Sequence, residues 1–327
     1  MKRDFFILHN SSFILFAMPS SEQLAQLILS GITQGSIYAL IALGFVTIYN
    51  VTGVINFSQG EFAVIGAFVA ITLSQKVLLW HGQMTASLEW PLPVAALIGV
   101  TTAVVIGALL YRLGIQPSRN ASPLSQIVVT IGASIALRGV VLLVWGTDPY
   151  RLTPFTEGPP FEFFGAILTR QSVWVMGLTV VFVVSLFLFF KYTLIGKALR
   201  ASSANPGAAR LMGINPRQMG LIAFALSAGL SALAGIVVSP VTFTTFDRGL
   251  MLSLKGFVAM IMGGLTDPVG AVVGGLILGV VESLAAGLIS SGYRDAFTFA
   301  ILVIVLLVRL GGFIKGRKGE ALERAGL

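Results

Sequence analysis

Nine apolar runs separated by polar breaks organise this chain, at about 24–49, 54–74, 92–111, 123–145, 173–191, 217–238, 249–263, 269–290 and 296–310. At 1.5 Å per residue, most are long enough to cross a hydrocarbon core of about 30 Å as helices. The run at 249–263 is short and follows the polar stretch Ser239–Asp247, so it reads as a half-helix or re-entrant element. The pattern predicts an all-α polytopic membrane protein with about 8–10 transmembrane helices, some broken or re-entrant. A β-barrel would show alternating segments of about ten residues instead.

One break stands apart. The segment GITQGSIYALIALGFVTIYNVTGVINFSQGEFAVIGAF at 31–68 runs into the polar island Asn56-Phe57-Ser58-Gln59-Gly60-Glu61 and then turns apolar again. In hydrocarbon every backbone N–H and C=O needs a partner within the protein. Such an island is tolerated only where it packs inside a bundle or lines a watery path. Asn56, Ser58, Gln59 and Glu61 are therefore candidates for a substrate pathway, since half-helix ends offer unpaired backbone groups to polar solutes. A self-satisfied plug that fixes helix packing is the other reading. Thr242, Thr244 and Thr245 in the second polar stretch are further candidates, as an outer gate or an ordinary loop.

Arg138, Lys255 and Glu282 fall inside apolar runs, where charge is expensive and normally paired. Glu61 is expected to pair with Arg138 or Lys255, and Glu282 with whichever remains. Gly270-x-x-x-Gly274 and Gly275-x-x-x-Gly279 place small residues on a helix for close packing.

Composition agrees with the pattern. Of 327 residues 56% are hydrophobic and 10% charged, against roughly 25% charged in a soluble domain. The net charge of +8 reads as a positive-inside bias and not as nucleic-acid binding, because the basic residues cluster in a few connections. Lys191, Lys197, Arg200, Arg210 and Arg217 share one connection without an acid, and Lys315, Arg317, Lys318 and Arg324 follow Arg309 at the end of the last run. Both regions are expected in the cytoplasm, with Arg112 and Arg119. The segment 147–171, with Asp148, Glu157 and Glu162, is expected outside. About nine crossings, an outer N-terminus and a cytoplasmic C-terminus satisfy these anchors.

Residues 1–21 are a separate N-terminal segment: a signal-like stretch, an extra apolar segment, or residues ahead of a true start at Met18. The transmembrane domain runs from 22 to 315, and 316–327 is a basic tail. With no cysteine, and only His9 and His81 as histidines, there is no basis for a thiolate or histidine metal site, a cofactor or a cysteine nucleophile. No phosphate loop, His-Glu-x-x-His or Gly-x-Ser-x-Gly motif occurs, so neither ATP hydrolysis nor other catalysis is expected of this polypeptide.

The connection 196–216 is too long for a simple turn. Lys197–Ala201 reads as helix, Asn205-Pro206 as stop and restart, Gly207–Met212 as a short second helix ended by Gly213, and Asn215-Pro216 as the opening of the next span. A basic, alanine-rich helix at the membrane face, with Leu211 and Met212 exposed, fits either docking to a protein or contact with anionic lipid.

The segment 31–62, this connection, and GGLTDPVGAVVGGLILGVVESL at 263–284 occur together in an order and spacing that resemble the membrane subunits of ABC importers of the branched-chain amino-acid (Liv) type. The resemblance covers about 22–315. It implies a pore with a second permease subunit, homologous or identical, two cytoplasmic ATPases and a periplasmic substrate-binding protein, in the bacterial inner membrane. Gly207-Ala208-Ala209-Arg210-Leu211-Met212-Gly213 is similar to the Glu-Ala-Ala-x-x-x-Gly motif that engages the ATPase, with Gly207 standing where the motif has Glu. Lys197 and Arg200 join that implied coupling surface. The substrates implied are branched-chain amino acids or related small polar solutes. An ion-coupled secondary transporter is the alternative, because broken helices are common to both.

Overall fold

The computed structural model describes residues 20–307 apart from 80–83, 87, 120, 164 and 306. His9, His81, the N-terminal stretch 1–19 and the basic tail lie outside the described residues. The chain is a helical bundle. Its long helices are α1 (Ser21–Thr52), α3 (Leu92–Leu110), α4 (Pro123–Trp145), α5 (Arg170–Tyr192), α8 (Pro216–Val238) and α10 (Pro268–Leu288). Among the described residues these six are long and apolar enough to cross a membrane. Two shorter helices, α2 (Gln59–Ser74) and α9 (Arg248–Gly263), have 16 residues each, about 24 Å of rise. A last helix, α11, is described over 294–305.

Local chemistry sets the boundaries. Ser20 and Gln23 form a capping box at the start of α1, and Gly53, at φ +69°, ends it in the left-handed conformation. Serine, threonine, asparagine or aspartate caps α4, α5, α8 and α10 through Ser122, Thr169, Asn215 and Asp267, and Pro123, Pro216 and Pro268 open three of those helices. Three features escaped the pattern reading: a π-helical turn at Tyr111–Ile115, and two small hairpins that pair Val77–Leu79 with Met84–Ala86 and Phe161–Phe163 with Ala166–Leu168. The strands are three residues each and carry no periodicity to read.

The layering follows from which apolar surfaces are hidden. The most apolar windows of α1 and α8 are 67% and 72% buried, whereas those of α4 and α5 are 17% buried. Leu124, Val128, Ile135 and Leu143 of α4 are exposed along one helix face. Exposed leucine in such density belongs against lipid, so α1 and α8 form the centre and α4 and α5 the flank.

Glycine makes the centre tight. The two glycine pairs of α10 serve different neighbours: Gly270 and Gly274 meet Gly263 and Ala259 of α9, while Gly275 and Gly279 meet Ala39 and Gly35 of α1. A methyl on Gly35 would sit 2.7 Å from Leu276 Cα, closer than side-chain carbons approach. Gly35→Leu is therefore expected to destabilise the protein by about 1–3 kcal/mol or more through overpacking, read as a lowered thermal midpoint. Gly132→Leu on α4, where a Cβ meets nothing within 4 Å, should leave the midpoint unchanged.

Candidate functional site

The polar island lies where α2 begins, at the middle depth of the bundle. Gln59 donates from Nε2 to Ser231 Oγ at 2.6 Å and to the Ser227 carbonyl at 3.1 Å. Ser227, at the midpoint of α8, donates to the Gly44 carbonyl of α1 at 2.8 Å and to Gln59 Oε1 at 2.9 Å. On the other side Ser58 donates to the Thr130 carbonyl of α4 at 2.7 Å, and the Thr130 hydroxyl donates to the Ile55 carbonyl at 3.2 Å. Asn56 Oδ1 accepts from the Ser58 N–H at 3.1 Å, closing the turn that lets the chain leave α1 and re-enter as α2. Asn56, Ser58, Gln59 and Glu61 have no solvent exposure.

The first turn of α9 meets the first turn of α2 here. The Gly60 N–H donates to Ser253 Oγ at 2.7 Å, and that hydroxyl donates to the Phe57 carbonyl at 2.9 Å. Gly60 and Gly249 are forced by this approach, since a Cβ on Gly60 would strike the Gly249 carbonyl and one on Gly249 would strike the Glu61 carboxylate. Glu61 Oε1 accepts from Arg138 Nη2 at 2.9 Å and from Ser134 Oγ, at the midpoint of α4, at 2.9 Å. A carboxylate against the N-terminal turns of two helices is further favoured by their positive dipole ends.

The second charged group involves α9, α10 and α11. Lys255 Nζ lies 2.7 Å from Glu282 Oε1 and 2.8 Å from Asp295 Oδ1, and Arg294 Nε lies 3.6 Å from Glu282 Oε1. Of the two pairings left open by sequence, the structure brings together Glu61 with Arg138 and Glu282 with Lys255. Arg294 and Asp295 were missed because they read as a connection between two apolar runs. The serines at 134, 227, 231 and 253 were missed because single hydroxyls in apolar helices are common; their clustering is a tertiary fact.

Beside this group a cavity opens, lined on its polar side by Tyr38, Thr242, Thr244, Arg248, Lys255 and Glu282. Two of the three candidate threonines thus border it. Thr244 is also held by the backbone of Tyr150, in an isolated bridge, and by a 2.9 Å hydrogen bond with the Ser239 hydroxyl. Thr245 instead donates to Asp247 Oδ1 at 2.6 Å.

The connection between α5 and α8 folds as two helices, α6 (Leu194–Ala204) and α7 (Pro206–Leu211). Asn205 Oδ1 accepts from the N–H groups of Gly207 and Ala208, both at 3.0 Å, and Pro206 opens α7. Gly213, at φ +79°, turns the chain toward Asn215 and α8. Lys197, Arg200, Gly207 and Ala208 are exposed, whereas Ala209 is buried. Leu211 and Met212 are 89% and 81% exposed.

A polytopic bundle with half-helices meeting at mid-depth, and an exposed helical elbow on one face, defines a membrane transport subunit. Residues 27–306 match the family described as branched-chain amino acid transport system permease components. The chain is 32% identical to the high-affinity branched-chain amino acid transport system permease protein LivH of Salmonella typhimurium, over 88% of this chain and 94% of that protein. It is 31% identical to the corresponding protein BraD of Pseudomonas aeruginosa, over 91% and 97%. The ribose import permease protein RbsC of Haemophilus influenzae is 25% identical over 86% and 84%. The chain belongs to the branched-chain amino acid transport system permease family, and it is a multi-pass membrane permease. Ion-coupled secondary transport finds no support in these relatives.

The Glu61–Arg138 pair is fixed on the acid side, with Glu61 wholly buried and Arg138 24% exposed. Arg138→Gln, which leaves a buried carboxylate unpaired, should cost about 3–5 kcal/mol. Adding Glu61→Gln should restore most of it. Thermal unfolding of the two single variants and the double variant measures this as a coupling energy.

Proposed function

We propose that this chain is the membrane subunit of an ABC importer for branched-chain amino acids or related small polar solutes in the bacterial inner membrane. It works as a transport component and not as an enzyme. In this reading residues 22–315 form the transmembrane domain, 196–216 the coupling loop, and the tail 316–327 is cytoplasmic. A second permease, homologous or identical, completes the pore. Two cytoplasmic ATPases supply the drive, and a periplasmic binding protein delivers solute.

The observation that carries this reading is α7. A six-residue helix capped at its start by Asn205 and followed at its end by the Gly213 turn is rigid enough to transmit force. Its outward surface, Gly207, Ala208, Leu211 and Met212, is exposed and covered by none of the described residues. Its inward residue, Ala209, packs toward the bundle, so a push on α7 reaches α8 directly. ATP binding then favours one arrangement of the bundle only through the difference in affinity of the ATPases for the two states. The solute path runs beside α9, past Thr242 and Thr244, and the network of Asn56, Ser58, Gln59 and Glu61 holds α2 and α9 in place behind it. Solute selection among amino acids and sugars is favoured toward amino acids by the charged residues that border the cavity.

Lys197 and Arg200 add a basic margin to the coupling surface. Ala208→Glu with Leu211→Asp should lower ATPase retention on co-purification, and ATP-driven uptake, by about tenfold or more, as expected when a central apolar contact is charged. Membrane insertion and thermal midpoint should be unchanged. Undiminished ATPase retention would remove α7 as the coupling element.

A further inference from the structure

We propose that the seam between α1, α9 and α10 at Glu282 is a binding station for a zwitterionic amino acid with an aliphatic side chain, held within the permease itself. This rests on the amino-acid import reading and adds to it a recognition site inside the membrane subunit. Two cavities, of about 120 and 260 Å³, share Gln34, Glu282 and Arg294 as walls. The smaller carries the charged side chains described above; the larger is edged by the hydroxyls of Ser30, Thr33, Ser172 and Ser283.

Glu282 is 3% exposed. Its Oε1 takes Lys255 and the Tyr38 hydroxyl stands beside the carboxylate, but its Oε2 is buried without a hydrogen bond of ordinary geometry to any described residue. A buried carboxylate oxygen without a donor is costly and rare, and an ammonium group, with three N–H donors, would satisfy it. Lys255 is already committed to Glu282 and Asp295. Arg294 is not: its side chain is 47% exposed and its one ion-pair contact among the described residues, through Nε to Glu282, is long at 3.6 Å. The rest of that guanidinium is free to take a carboxylate in the two-point geometry that arginine favours.

An acid and a base so close together match the ammonium and carboxylate on one α-carbon. The smaller cavity supplies the remaining contact, because Ile37, Val64, Ala67, Val238, Met251 and Leu252 form its apolar wall. A branched aliphatic side chain fits such a wall by burial alone. A sugar can hydrogen-bond both groups through its hydroxyls but brings no opposite charge to either, and the site favours the zwitterion on that ground.

The test uses the intact transporter, purified with its partner subunits but without binding protein. It is titrated with labelled leucine, with 4-methylvalerate, which lacks the ammonium, and with 3-methylbutylamine, which lacks the carboxylate. Leucine should bind about tenfold or more tightly than either analogue. Arg294→Gln should weaken leucine by about tenfold and leave 3-methylbutylamine unchanged; Glu282→Gln should weaken leucine and leave 4-methylvalerate unchanged. If Glu282→Gln does not assemble, because Lys255 loses a partner, the Arg294 variant at its half-exposed position still decides. Equal binding of all three compounds, or Arg294→Gln binding leucine as the parent does, overturns the site. ATP-driven leucine uptake with binding protein is measured alongside: uptake without selective binding removes this station alone, whereas no leucine uptake removes the amino-acid reading.

Discussion

Hydrocarbon offers no hydrogen bonds, so a helix that stops inside a membrane must have every freed group answered by protein. That constraint governs this molecule. The chain leaves α1 at Gly53 and restarts at Gln59, and side chains or backbone carbonyls of α1, α4, α8 and α9 converge on the gap. The hydrogen bonds are individually modest, worth about 1 kcal/mol each. Their importance is geometric. They fix the depth and rotation of α2 and α9 together, because a slip of either strands donors in an apolar interior.

The same constraint divides the bundle into a fixed part and a part with freedom. Around α1, backbone meets backbone through Gly35, Gly275 and Gly279, and nothing there can shift by small degrees. Helix α9 likewise meets α10 backbone to backbone, through Gly263, Gly270 and Gly274, whereas α11 is tied to them by ionic contacts among Lys255, Glu282, Arg294 and Asp295. Such contacts exchange partners without leaving a void, as close packing cannot. The cavity lies on this exchangeable side. The exposed elbow of α6 and α7 joins the bundle at α8, whose serines also anchor α2. In the proposed coupling role, a force entering at α7 would arrive at the hub first and reach the cavity through it.

Much of this was legible in sequence because it depends on local rules. Asn205-Pro206, Gly213 and Asn215-Pro216 announce caps and turns by the chemistry of their own side chains, and the helices start and stop there. The polar island at 56–61 and the short run at 249–263 were visible as violations of the apolar pattern. Their meeting was not, since nothing local in Gly60 or Gly249 names the other as neighbour. The inward turn of Ala209, beside an outward Ala208, was equally hidden: both are alanine, and only the placement of α7 distinguishes them. The three-residue strands fall below any periodicity, and Arg294 and Asp295 carry no mark of the lysine they face until α9 and α10 pack.

In the proposed reading both parts of this design are passive, a conduit and a lever, and the sequence carries no motif for using ATP. The most direct measurement is accumulation of labelled leucine in proteoliposomes, with this permease, its partner permease and binding protein, with and without the ATPases. Uphill accumulation should require both ATPase and ATP and be indifferent to an imposed proton or sodium gradient. Uphill accumulation driven by such a gradient with the ATPases absent would contradict the account.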